Sequence, residues 1–355
     1  MAAVSPAALD DAIARGVAYL HQHQYPNGEF CAYCAPDAPM QAWCLPDSSI
    51  FPTALIAHCL LPLAGHPAAE ETLAKAAAFL QYQENHGGLW NHFTVLHRLR
   101  YLCPLDVDDT ACVSDFLRTR GFDSPYPANV PLLLANRDRR GLFYTWFVLR
   151  LRWQTNRTYW RVTLPELRRP LQSLAFWLGG EGSRGDVDGV VNANVLYYLG
   201  DIPETQPVIA WLLRIIAEQR EGDCDVWYRD THMVYYFISR NYFRGITQLA
   251  PARQPVIDRI LAAAKPDGRL GETVVDTALA VCSLLNWRAA PPELGPAAEF
   301  LVRTQGAPGE WPRWLVYYGG PKRLLGWGSE EITTAFCLEA LARYRASLAA
   351  PATSE

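Results

Sequence analysis

The sequence predicts an all-α protein, an (α/α)6 barrel in which six helix pairs close into a toroid. Three observations carry this. Apolar residues recur at helical spacing along most of the chain, and no long run alternates like a half-buried strand. Amphipathic segments alternate with segments that are apolar on nearly every side. The order of amphipathic helix, glycine-bearing turn and buried helix then returns at intervals long enough for one helical hairpin each, and such hairpins bury their apolar faces only by stacking on neighbours.

In chain order, residues 10–24 form the first amphipathic helix, closed by Tyr25-Pro26-Asn27-Gly28, and residues 49–61 the first buried one. Residues 70–83, the break at Gly87-Gly88 and residues 109–120 make the second pair. The third pair is residues 169–178 with 187–199, and the fourth is 206–219 with 231–241. In the fifth, residues 255–264 lead through Lys265-Pro266-Asp267-Gly268 to 273–286. The sixth runs from 293–305 through Pro308-Gly309 to 330–344. The buried helices centre near Ala54, Ala111, Ala193, Val234, Ala278 and Ala335, and in a closed ring they line a central cavity. Residues 1–355 are therefore expected to be one domain. Residues 121–170, too long for a simple connection, form an irregular insertion or lid, with an extra helix at 141–154 over one mouth.

Composition narrows the function. Half of the 355 residues are hydrophobic, and 32 basic against 36 acidic side chains leave a net charge of −4, so a surface built for nucleic acid is not expected. The longest apolar stretches contain Pro and His and fall short of a membrane span, and residues 1–11 lack the pattern of a signal peptide. Nine cysteines do not form a disulfide framework, and Cys31-x2-Cys34 is a single pair that does not complete a zinc site. A cytoplasmic protein is expected.

The turns carry a second signal. Gln305-Gly306-Ala307-Pro308-Gly309-Glu310-Trp311 reads Gln-x3-Gly-x-Trp; residues 24–30 have the same spacing with Phe30 last, and residues 83–90 have it with one insertion before Trp90. Glycine allows the tight turn, the aromatic packs, and the Gln amide ties off helix-end backbone groups. The start of the second buried helix reads Asp106-Val107-Asp108-Asp109-Thr110-Ala111. Acids at a helix start are favoured by capping and by the helix dipole, whatever else they do. Crowded carboxylates also cannot all ionise together, so one of them stays protonated and available as an acid.

With these turns and this Asp-x-Asp-Asp-Thr-Ala hexapeptide, the sequence resembles the class II terpene cyclases of the triterpene cyclase and prenyltransferase superfamily. The resemblance covers the one α/α barrel that bears the acid motif; the usual class II enzymes carry a second barrel, which this chain is too short to contain. It implies protonation-initiated cyclisation or isomerisation of an isoprenoid alkene by a lyase- or isomerase-type enzyme. The middle acid, Asp108, is then the proton donor, and Asp106 and Asp109 orient it.

A carbocation needs walls that stabilise positive charge without supplying a nucleophile, and aromatic faces do so. The candidates are Trp90, Tyr197, Trp227, Tyr235, Trp311 and Trp327, with Tyr198, Tyr228, Tyr236, Trp314, Tyr317 and Tyr318 beside them. His232, Asn192 and Asn194 stand near buried-helix starts, where they can orient the acid or satisfy helix ends. Asp276-Thr277-Ala278 echoes the acid motif and reads as the internal repeat. No metal ligands are assigned and no cofactor is required; Mg²⁺ enters only if the substrate is a diphosphate. The partner is a hydrophobic isoprenoid, with a second chain or a homo-oligomer completing the pocket if the barrel mouth alone does not. Two other readings are a non-catalytic isoprenoid-binding or partner subunit and a carbohydrate-active barrel, the latter requiring a second carboxylate across the cavity.

Overall fold

The structure is a computed structural model that describes residues 4–123, 127–150, 155–168, 170–179, 182–319 and 324–349. Its elements in order are α1 (Pro6–His23), β1 (Ala32–Ala35), β2 (Leu45–Asp47), α2 (Phe51–Leu60), α3 (Pro67–Tyr82), β3 (Trp90–Asn91), β4 (Leu105–Asp106), α4 (Val107–Thr119) and α5 (Val130–Ala135). There follow β5 (Trp146–Phe147), α6 (Arg157–Thr163), α7 (Pro170–Gly179), α8 (Gly189–Leu199), α9 (Gln206–Ala217), α10 (Thr231–Phe243), α11 (Arg253–Ala262) and α12 (Val274–Asn286). The chain ends with α13 (Leu294–Thr304), β6 (Leu315–Gly319), β7 (Leu325–Gly328) and α14 (Glu330–Ala349).

Six of these helices form a closed inner ring. α2 packs on α4, α4 on α8, α8 on α10, α10 on α12, α12 on α14, and α14 returns to α2. Their sequences explain the placement: every residue of α2 is buried, as are nearly all of α8 and α12, because each touches ring neighbours on both sides and an outer helix behind. The outer helices bury one stripe only, such as Leu9, Ala12, Ile13, Gly16, Val17 and Leu20 of α1.

The turns lock the layers together. Trp90 and Trp311 are completely buried, and their indole N–H groups donate to the carbonyls of Leu80 and Leu301, each at 2.8 Å. Gln305 Nε2 donates to Gly309 O at 2.8 Å within its turn and to Ala12 O at 2.9 Å on α1; Gln24 does the same with Gly28 O and Thr72 O, both at 3.0 Å. Gln83 departs from the pattern, because the residue inserted into its turn sends its Oε1 to the N–H of Val95 at 2.9 Å. Gly28 (φ 90°) and Gly309 (φ 112°) have left-handed backbones, and a Cβ on either would strike the carbonyl oxygen of Lys75 or Arg15 in the adjoining outer helix.

This turn-on-next-helix rule corrects the third pair. The turn at Gly87 packs on Leu132 of α5, and the turn at Gly141 packs on Pro207 of α9. α5 is therefore the third outer helix. Residues 169–178, expected in that place, lie in α7 (169 itself is outside the described residues), where Leu171, Leu174 and Leu178 are 80%, 53% and 76% exposed. A six-residue helix leaves too little periodicity to be seen, whereas the longer apolar run of α7 imitates an outer helix. The helix expected at 141–154 is also not formed: residues 141–150 hold a turn and β5, and residues 151–154 lie outside the described residues.

Two small antiparallel sheets stand at one end of the ring. One has the order β2-β1-β7-β6, with Cys34 opposite Trp327 and Trp327 opposite Tyr317. The other has the order β3-β4-β5, with Asp106 between Trp90 and Trp146. Four of the five residues of β6 are buried, so its sides do not alternate and period-two patterning is invisible in the sequence.

Candidate functional site

The acid motif occupies the junction between β4 and α4. Asp106 is the N-cap of α4, its Oδ1 accepting the N–H of Asp108 at 2.6 Å and of Asp109 at 3.2 Å. Thr110 donates its hydroxyl back to Asp106 O at 2.5 Å and accepts the N–H of Trp90 at 3.0 Å, tying the motif to the second turn. Asp106 thus shapes the helix start, and burial together with the neighbouring charges of Asp109 and Asp108 pushes its carboxyl well above the ordinary range.

Asp108 is held differently. Its Oδ1 accepts Asn194 Nδ2 at 2.5 Å and its Oδ2 accepts the Tyr228 hydroxyl at 2.7 Å. Behind Asn194 stands Arg240, whose guanidinium donates to Asn194 Oδ1 and lies over the rings of Tyr197 and Phe237 at 4.2 and 4.7 Å. Burial raises the Asp108 carboxyl to about 6 even though Asn194, Tyr228 and Arg240 all favour its anion. Burial also raises the Tyr228 phenol far above its usual range, so Tyr228 remains a donor. Asp109 meets His92 Nδ1 through Oδ2 at 3.4 Å, while its Oδ1 is buried with no hydrogen-bond partner among the described residues.

These carboxylates open on a cavity of about 410 Å³. Phe51, His92, Phe93, Val191, Tyr228 and Tyr317 line it together with Trp146, Trp227, Tyr318 and Trp327. The aromatic wall is internally braced: Trp327 stacks on Tyr317 at 5.6 Å and donates its indole N–H to Asp47 at 2.6 Å, and Trp146 meets Trp227 edge-on at 5.4 Å. The arrangement joins one neutral-leaning carboxyl to an apolar, π-rich enclosure.

Solved structures share this architecture. The type II terpene cyclase MstE from Scytonema superposes with a TM-score of 0.67 at 15% identity, covering 97% of this chain and 99% of that one. The fold is terpene cyclase-like. A variant of that cyclase crystallised with geranylgeranyl dihydroxybenzoate as its substrate matches at TM-score 0.66 and 16% identity over 96% of this chain and 98% of that one. A protein from Actinoplanes matches at TM-score 0.66 and 20% identity over 94% and 99% of the two chains. A possible member of the GH105 family from Salmonella enterica matches more loosely, at TM-score 0.53 and 12% identity over 97% and 95%. No family model and no curated protein sequence matches the chain.

Of the aromatics expected at the site, the structure places Trp227, Tyr228, Tyr317, Tyr318 and Trp327 on the cavity wall. The other expected wall residues lie elsewhere, for identifiable reasons. Trp90 and Trp311 fill the gap between the helix layers behind their turns. Tyr197 is six residues beyond Val191 on α8, about 9 Å farther along the helix, where Arg240 and Arg244 cover its ring. Tyr235 turns from the lumen toward Glu221 and Arg259. Asn192 holds the third turn, accepting the N–H of Phe143 and donating to Phe143 O, both at 2.9 Å. His232 pairs with Asp230 at 3.3 Å and does not contact the acid motif.

Asn194, two residues after Asn192, faces the opposite side of α8 and therefore reaches Asp108. His92, Phe51, Phe93, Trp146 and Arg240 were not signalled by the sequence. Trp146 lies in the irregular stretch, and the others look like ordinary core or loop residues until the ring closes. Among the described residues no helix is long and apolar enough to cross a membrane.

Proposed function

We propose that the protein is a terpene cyclase-like enzyme that starts a cyclisation or isomerisation by protonating an isoprenoid alkene, with Asp108 as the acid. The observation that carries this reading is the Asp108 carboxyl, raised to about 6 by burial and facing an aromatic cavity, with donors on both oxygens. In the initiating step the alkene π pair takes the Asp108 proton, forming a C–H bond and leaving a carbocation. Asn194 and Tyr228 then hydrogen-bond an anion, so they stabilise the product of proton transfer more than the neutral acid. The cation is screened by Trp227, Trp327, Tyr317 and Phe51 while another double bond closes the ring, and loss of a proton or capture of water ends the reaction. The protonation step itself needs no metal. The carboxylates on the described cavity wall all come from one helix start, so the facing pair that glycoside hydrolysis uses is not assembled there.

The acid must be protonated to act, so turnover is expected to fall about tenfold per pH unit above the Asp108 value near 6. Tyr228→Phe removes a donor to the anion. It is expected to move this limb upward by roughly 1–2 units and to slow the plateau rate by roughly 10–100-fold, the scale of one hydrogen bond to a charged group. A pH–rate profile of the two proteins checks both effects; an unshifted limb removes Asp108 from the role. Trp327→Ala is expected to lower turnover by up to about 30-fold, or to release prematurely quenched products, by deleting a cation–π wall worth at most ~2 kcal/mol. Product profiles with and without the substitution test this.

A further inference from the structure

A second polar cluster lies outside the acid site, on the far side of Tyr318. Asp230 caps α10, its Oδ1 accepting the N–H of His232 at 2.8 Å and standing 3.3 Å from His232 Nδ1. Asp276 closes the capping box of α12, its Oδ2 accepting the N–H groups of Glu272 at 2.8 Å and Thr273 at 3.0 Å. One ligand atom from each of Asp230, His232 and Asp276 lies within 4.8 Å of the other two. His232 and Asp276 stand forty-four positions apart in the chain, so the juxtaposition comes from the ring closing two neighbouring inner helices together.

Helix capping accounts for one oxygen of each carboxylate and leaves the rest of the cluster unexplained. His232 is only 9% exposed, and its Nε2 is buried with no hydrogen-bond partner among the described residues. The two carboxylates stand close together, each raising the other's cost of ionisation or calling for a counter-charge. The Cε1 edge of the imidazole and Asp276 Oδ2 face the same point: a Cβ on Gly271 would stand 3.0 Å from the former and 2.9 Å from the latter. Asp230, partly exposed, leaves a way in from solvent.

We propose that Asp230, His232 and Asp276 form a binding site for a divalent transition-metal ion that clamps the starts of α10 and α12 together behind the cavity wall. Two carboxylates and one imidazole suit Mn²⁺, Fe²⁺ or Zn²⁺, whereas Ca²⁺ asks for six to eight oxygen ligands. The ion neutralises the two neighbouring carboxylates and gives the imidazole, one of whose nitrogens is buried without a partner among the described residues, a ligand role. It holds a part of the wall in place, because Arg229, next to Asp230, lies over the Tyr318 ring at 4.5 Å, and Tyr318 donates its N–H to Trp227 O at 2.8 Å. The site stands on its own geometry and is independent of the role given to Asp108.

The test uses the full chain stripped of metal by chelation and dialysis, with Mn²⁺ as the probe and electron paramagnetic resonance as the readout. One equivalent is expected to bind, with nitrogen coupling from a coordinated imidazole, and the melting temperature to rise on binding. His232→Gln and Asp276→Asn are each expected to weaken binding by roughly 10–100-fold. Glu272→Gln, which changes an exposed carboxylate one turn away, is expected to leave it unchanged. Should a variant not fold, the nitrogen coupling in the unaltered protein decides alone. Absence of a bound equivalent at millimolar Mn²⁺, a bound ion without imidazole coupling, or unaltered affinity in folded His232→Gln overturns the proposal.

Discussion

Asp108→Asn is expected to lower turnover by at least roughly 10²–10⁴-fold, the contribution of a positioned acid, while the protein folds as before. The amide is isosteric, remains within reach of the Tyr228 hydroxyl and Asn194, and removes only the transferable proton. The stability change is confined to a mismatched amide contact with Asn194, about 1 kcal/mol. Mass-spectrometric product analysis with a panel of linear isoprenoids, with and without diphosphate, run on both proteins, checks this directly. A product isomeric with its substrate, lost in the variant, supports acid initiation. Full activity in the variant would sink the assignment of Asp108, and binding of an isoprenoid without turnover in either protein would favour a non-catalytic subunit.

The largest loss of stability is expected from Trp311→Ala. The side chain is completely buried, its indole N–H satisfies Leu301 O, and its own N–H is held by Thr334 Oγ1 at 3.0 Å. It stands where the ring closes, since Gly309 and Gln305 of the same turn rest on Arg15 and Ala12 of α1. Truncation leaves a cavity and an orphaned carbonyl, at a cost of about 3–5 kcal/mol. For a chain of this length that is a fall of roughly 4–7 °C in Tm. Differential scanning calorimetry on this variant and on Trp327→Ala separates the two kinds of tryptophan. Trp311→Ala is expected to lose stability, and Trp327→Ala to lose turnover with a much smaller change in Tm.

The repeat was legible because it is written in local chemistry. Gln-x3-Gly-x-Trp names a turn, and the turn glycine announces a close approach before the partner is known. The acids of residues 106–109 were legible as a helix start for the same reason, with Asp106 capping as its chemistry requires. Where local chemistry is ambiguous the reading failed. A six-residue α5 has too few turns to show periodicity, while the leucines of α7 resemble an outer helix yet remain exposed. Trp90 and Trp327 are both tryptophans near helix ends, and nothing within a few residues of either says which faces the lumen.

The sequence by itself determined the mainly helical class, the turns that link the layers and the cluster of acids at the start of one inner helix, because capping, helical periodicity and turn geometry act over a few residues. Only the tertiary structure decided which side chains meet Asp108. Asn194 and Tyr228 arrive from 86 and 120 residues away, Arg240 stands behind Asn194, and the wall is built by strands that pair residues from both ends of the chain. The physical reason is ring closure. Once six inner helices share a lumen, a residue's depth along its helix and the face it occupies decide whether it reaches the cavity, and both depend on neighbours remote in sequence.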